Sequence, residues 1–122
     1  MTELAKPIES VYIQSDPTDT RTHQAYELLL TSMANVGLHQ TVQLDTADSM
    51  VVIGGDGTLI HAMHEHNFPQ LPVRGINTGT IGFFMSTDPT ESDINELTLN
   101  LKNGAYSLDE LAVLDVRDAN ND

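Results

Sequence analysis

Four consecutive apolar residues, Met50–Ile53, run without a spacer into Gly54-Gly55-Asp56-Gly57-Thr58, and a stretch compatible with a helix starts at once. A continuous apolar run of this length is the pattern of a strand covered on both faces. A buried strand that ends in glycines and feeds a helix directly restricts the chain to an α/β architecture. The turn must then lie at the carboxyl end of its strand, where open α/β sheets take their ligands. Glycines let the backbone approach a ligand closely, and the helix start presents free N–H groups and a positive dipole end. Phosphate is the natural guest of such a turn.

The rest of the chain alternates short apolar runs with amphipathic stretches. Ser10 to Gln14 (SVYIQ) is rich in β-branched and aromatic residues and predicts a first strand. After a turn at Asp16-Pro17, residues 20–36 place Ala25, Leu28, Leu29, Met33 and Val36 on one helical face, and Gly37 supplies a stop. Thr41 to Leu44 is a short strand candidate. The helix after the glycine turn is expected over Thr58 to Asn67, followed by a strand at Val73 to Asn77. Asp88-Pro89, with Glu91 three residues after the aspartate, predicts a capped helix start. Ile94, Leu97 and Leu101 line that helix and Gly104 ends it; a last strand is expected over Glu110 to Val116. Strands and helices in this order predict an α/β sandwich around a mostly parallel sheet.

Composition narrows the function. The 122 residues suit one domain, able to bury roughly two thirds of its unfolded surface. With no cysteine, a disulfide scaffold and a thiolate zinc site are both excluded. Eighteen acids against five Lys and Arg give a net charge of −13, spread evenly along the chain. Such a surface repels phosphate backbones and anionic lipids, so nucleic-acid and membrane partners are not expected. The N-terminal segment MTELAKPIES is no secretory signal, and a cytoplasmic protein is the expectation. A polyanion held by this chain must be held by backbone amides or by a metal ion.

Two familiar phosphate signatures are missing: no lysine follows the turn as in GxxxxGKS/T, and the loop has no GxGxxG. The turn instead carries one carboxylate, Asp56, among three glycines. Beside a phosphate an acid is unfavourable unless it works as a base, orients a hydroxyl or holds Mg²⁺. The plain alternative is that Asp56 caps the following helix at Thr58 and Leu59. His61, His64 and His66 do not form an HExxH pattern, and no protein-bound transition metal is expected. Asn77 and the threonines Thr78 and Thr80 fit either a turn or a ligand contact, and Arg74 either a phosphate contact or a surface ion pair.

The glycine turn and a second segment, Arg74 to Phe84 (RGINTGTIGFF), together resemble the NAD kinase family. GGDGT after a hydrophobic strand is shared by NAD kinases and by diacylglycerol and sphingosine kinases, and more loosely by phosphofructokinases. The second segment is similar to the GINxGxLGF stretch of NAD kinases and stands at the family's distance from GGDGT. Tyr106 to Val116 resembles the segment leading out of that family's first domain. The resemblance implies a Rossmann-like three-layer α/β sandwich over residues 1–116 with a polar tail at 117–122; the second, largely β domain of that family is expected to be absent.

It also implies phosphoryl transfer from ATP or polyphosphate, with Mg²⁺, to the adenosine ribose 2′-hydroxyl of NAD. By position, Asp56 takes the role of catalytic base or hydroxyl-orienting group, and Gly57 approaches the dinucleotide through its backbone. Phe83 packs on the adenine, with Phe84 beside it, and His61 occupies the position where the family often has a basic residue. Gly54, Gly55, Thr58 and Asn77 complete the expected binding set. A homo-oligomer is expected. A noncatalytic nucleotide-binding or interaction module is the alternative, and a diacylglycerol kinase-like lipid kinase a weaker one.

Overall fold

The computed structural model describes residues 7–15, 19–67, 69–79 and 87–104. Four parallel strands form one sheet: β1 (Ser10–Ser15), β2 (His39–Thr41), β3 (Ser49–Gly54) and β4 (Val73–Asn77), in the spatial order β2-β1-β3-β4. Helices α1 (Thr20–Val36), α2 (Asp56–Glu65) and α3 (Glu91–Asn103) cover it. From β1 the chain crosses to its neighbour on one side, and from β3 to its neighbour on the other. Right-handed crossovers in opposite directions put α1 and α2 on opposite faces of the sheet. Strand order reverses between β1 and β3, which makes the carboxyl ends of these two strands the switch point where α/β sheets open a crevice.

Every residue of β3 is buried, as its unbroken apolar run requires. Val51 and Ile53 join the core under α1 and α3, together with Leu29, Met33, Ile94 and Leu101. Met50 and Val52 point the other way and pack with Leu59, Ala62 and Met63 of α2. Period-two alternation along one strand thus serves both layers. Between α1 and α3, the Ser32 and Thr98 hydroxyls meet at 2.6 Å in a buried hydrogen bond.

The elements expected within the described residues form, with shifts at several bounds; β3 gains Ser49 and Gly54 at its two ends. The first strand runs one residue past Gln14, to Ser15. The second strand is His39–Thr41 and not Thr41 to Leu44. Its pairing with β1 ends at Tyr12 opposite Thr41. Beyond that point hydroxyls take over: Thr41 and Thr46 bond each other at 2.9 Å, and the Thr46 hydroxyl donates to the Gln43 carbonyl at 3.0 Å. These local bonds turn the chain into a short 3₁₀ segment at Leu44–Thr46.

Helix α2 starts at Asp56, two residues before the expected Thr58, and ends at Glu65 with His66 as its cap. The cap of α3 is Thr90 and not Asp88. Thr87 is tied to the sheet edge by hydrogen bonds with Gly75 and Asn77, which leaves Asp88 and Pro89 as the link to the helix. The Thr90 hydroxyl then accepts from Asp93 N at 3.2 Å. Helix α1 has the expected bounds, capped by Asp19 and closed by Gly37 in the left-handed conformation (φ 83°). The strand expected over Glu110 to Val116 lies outside the described residues.

Two leucines of α3 test this packing. Leu101 is fully buried whereas Leu99 is 50% exposed. Leu101→Ala should cost about 2–5 kcal/mol of unfolding free energy in urea titrations. Leu99→Ala should stay within about 0.5 kcal/mol of the parent chain.

Candidate active site

The site is built where β3 and β4 end side by side. Their parallel register places Gly54 opposite Asn77, so the two glycine-bearing turns leave the sheet together. The Thr78 amide donates to the Gly54 carbonyl at 2.9 Å and prolongs the strand pairing by one residue into the turns. Asn77 Oδ1 accepts from the Gly79 amide at 3.0 Å, closing an Asx-type turn. Gly55 and Gly79 then meet backbone to backbone. A Cβ on Gly79 would lie 3.3 Å from Gly55 Cα and 3.6 Å from Asn77 Oδ1.

The glycines of GGDG differ in what demands them. At Gly54 the backbone has φ 157°, and a Cβ would sit 2.6 Å from Thr58 Oγ1 and 2.7 Å from Thr58 Cβ. Thr58 has folded its side chain into the space that a larger residue would fill. Gly55 is the N-cap, in extended conformation, and abuts Gly79. At Gly57 a Cβ would meet nothing within 4 Å, and no unusual φ calls for glycine there. Packing explains Gly54 and Gly79; it does not explain Gly57. In a helix glycine is worse than alanine by roughly 0.5–1 kcal/mol, so Gly57 leaves a cost that no packing among the described residues offsets.

Asp56 is the first helical residue and not the cap, and its carboxylate stands at the positive end of the helix. The capping role that the sequence allowed it belongs by position to Gly55. The first bond of the helix is donated by Leu59 N to the Gly55 carbonyl at 3.1 Å, so the Gly57 and Thr58 amides lie ahead of it in the open first turn. Asp56, Gly57 and Thr58 thus share one turn, which leaves from Gly54 and Gly55 where these meet Asn77 and Gly79.

His61 does not join this group by any contact of the described residues. It is exposed, and its Nε2 lies 3.6 Å from Glu65 Oε1 one turn along the same helix. His66 is also turned away: its Nε2 is 3.0 Å from Gln14 Oε1, and its ring meets Tyr12 edge-on. Among the described residues no three His, Cys, Asp or Glu side chains converge as a metal site. Phe83, Phe84 and Thr80 lie outside the described residues.

The helix after β1 contributes what sequence reasoning missed. Thr22, in the first turn of α1, reaches the Thr78 hydroxyl at 2.8 Å and donates to Asp19 Oδ2 at 2.9 Å. Asp19 and Thr22 stand three residues apart at a helix start, a spacing that could have shown the cap but not the partner just beyond β4. Beside them a cavity of about 420 Å³ opens at the carboxyl end of β1, lined by Gln14, Ser15, Thr22, His23, Tyr26 and Gln40 among others. Its volume is in the range of small-molecule pockets.

Residues 9–106 match the family profile described as the ATP-NAD kinase N-terminal domain, a span that contains both glycine turns. The chain belongs to the NAD kinase family. Its relatives include the NAD kinase of Lysinibacillus sphaericus, 33% identical over 101 residues that make up 81% of this chain and 37% of the relative. The NAD kinase of Natranaerobius thermophilus is 27% identical over 93% of this chain and 38% of its own length. The chain therefore spans less than two fifths of these relatives. Among solved structures, yeast NADH kinase complexed with NADH superposes with a TM-score of 0.60 at 18% identity, over 84% of this chain and 40% of that one. This likeness establishes the shared α/β fold. No helix among the described residues of this NAD kinase domain is long and apolar enough to cross a membrane.

The glycines of the NAD kinase turns should separate in a stability assay. Gly54→Ala should lower the unfolding free energy by about 1–3 kcal/mol, because Thr58 must move out of its seat. Gly57→Ala should raise it by up to about 1 kcal/mol. A Gly54→Ala chain that melts with the parent would show that Thr58 yields freely.

Proposed function

We propose that the two glycine turns form the phosphoryl-transfer floor of an NAD kinase, which converts NAD to NADP with ATP or polyphosphate as donor. Gly57 carries this reading. A glycine that no packing among the described residues demands, on the open first turn of a helix and next to Asp56, marks a place for a ligand to approach the backbone. The helix start and the amides of Gly57 and Thr58 suit an anionic group there.

In this reading the adenosine ribose 2′-hydroxyl oxygen attacks the terminal phosphorus of the donor. The P–O bond to the leaving phosphate breaks, and the electron pair stays on that phosphate. Asp56 orients the hydroxyl and accepts its proton, which leaves the donor's charge to be met by amides. A divalent cation, Mg²⁺ by this proposal, would arrive with the donor phosphates and supply charge neutralisation there. The donor set fits that arrangement: Asp56 is a single carboxylate with phosphate-binding amides beside it, suited to meet a cation that phosphates already hold. The chain's own part is to place the hydroxyl and the donor in line.

NADP⁺ formation from NAD⁺, with ATP or polyphosphate and Mg²⁺, tests the reading. Asp56→Asn should lower kcat by about 10²–10⁴-fold with the melting curve unchanged. Gly57→Ala should lose turnover while the fold becomes more stable, the usual opposition of stability and function at a site. Wild-type activity retained by Asp56→Asn would remove the base assignment. A second reading, a nucleotide-binding module without turnover, draws on the cavity of about 420 Å³ beside β1 and the amides at the start of α2, which suit binding whether or not transfer follows. NAD⁺ or ATP binding in calorimetry, without NADP⁺ formation, would select it.

A further inference from the structure

We propose that Asp19 and Thr22 are positioning residues, which set the contact between the two glycine turns through a directional hydroxyl relay. The catalytic consequence rests on the kinase reading above; the geometric one does not. Thr22 and Thr78 are 2% and 4% exposed, and their hydroxyl oxygens lie 2.8 Å apart. A threonine hydroxyl has one proton to give. Thr22 gives its proton to Asp19 Oδ2 at 2.9 Å, so in the Thr22–Thr78 pair Thr78 must be the donor. The chain of bonds therefore runs one way, from Thr78 through Thr22 to a carboxylate, which strengthens its last link.

Thr78 is held at two points. Its amide is bound to the Gly54 carbonyl at 2.9 Å, and its hydroxyl to the first turn of α1. The residue after it, Gly79, is the one pressed against Gly55, where even a Cβ would come within 3.3 Å of the opposite backbone. Fixing Thr78 from both sides fixes that contact, and with it the N-cap from which Asp56 leaves. Thr22 also lines the cavity beside β1, so the relay joins the cavity wall to the glycine contact. If the two threonines merely satisfied each other in a core, removing one hydroxyl would lower stability and leave the turns where they are.

Thr22→Val keeps the shape and removes the hydroxyl, whereas Thr22→Ser keeps the hydroxyl and removes a methyl. Amide ¹⁵N–¹H spectra of the chain provide one readout, and steady-state NADP⁺ formation the other. Thr22→Val should shift the Gly55 and Gly79 amide signals and lower kcat by about 10–100-fold, with KM for NAD⁺ changed by less than about threefold. Thr22→Ser should restore both readouts. Unmoved Gly55 and Gly79 signals in Thr22→Val would overturn the proposal, as would a Thr22→Ser chain impaired as severely as Thr22→Val. Shifted signals with unchanged kcat would overturn the catalytic role. A wild-type chain without turnover would count against the kinase reading alone, and the relay would then be decided by the amide signals.

Discussion

The contact between Gly55 and Gly79 holds the candidate site together. Two strand ends can lie next to each other in many α/β sheets, but here their turns touch backbone to backbone because neither residue carries a side chain. The register of β3 against β4, with Gly54 opposite Asn77, brings them level. The Thr78 amide on the Gly54 carbonyl and the Asn77 side chain on the Gly79 amide then lock both turns. Asp56 projects from the helix that starts on this platform, so its position is inherited from a network of main-chain hydrogen bonds. Main-chain bonds are a sound foundation for a reacting group, since they leave few rotamers to order.

The acidic character of the chain acquires a meaning in this setting. A net charge of −13 leaves little cationic side-chain surface with which to attract a polyanion. The first turn of α2 supplies attraction without ionised side chains, through oriented amides at a helix start. Such dipoles act at short range and in a fixed direction, whereas a long-range positive field would also gather nucleic acids and acidic lipids. A repulsive surface with a local amide nest favours a ligand that fits over one that is merely anionic.

Much of the fold was legible because hydrophobic periodicity and glycine punctuation act locally. Met50–Ile53 read as a doubly covered strand and proved buried at every residue. Residues 20–36 read as a helix closed by Gly37, and the left-handed cap there is what glycine supplies. The misses were local competitions between polar groups. The second strand stopped at Thr41, whose hydroxyl bonds Thr46 and Gln43, and Asp88 lost the cap of α3 to Thr90 because Thr87 was already tied to β4. Helix α2 began early because the Asp56 carboxylate suits the positive end of a helix.

The sequence by itself determined the chemistry of the candidate site: one carboxylate among glycines, at the end of a buried strand and the start of a helix. Short-range rules suffice for that, since strand, turn and helix start are neighbours along the chain. Only the tertiary structure decided which glycine serves packing and which does not, because that depends on what lies across the gap from each Cα. Gly54 faces Thr58 and Gly79 faces Gly55, while Gly57 faces open space. The tie from Thr78 through Thr22 to Asp19 was likewise settled in three dimensions. It joins residues 56 positions apart, and no local pattern fixes a hydrogen bond that exists only when a helix start and a strand end have met.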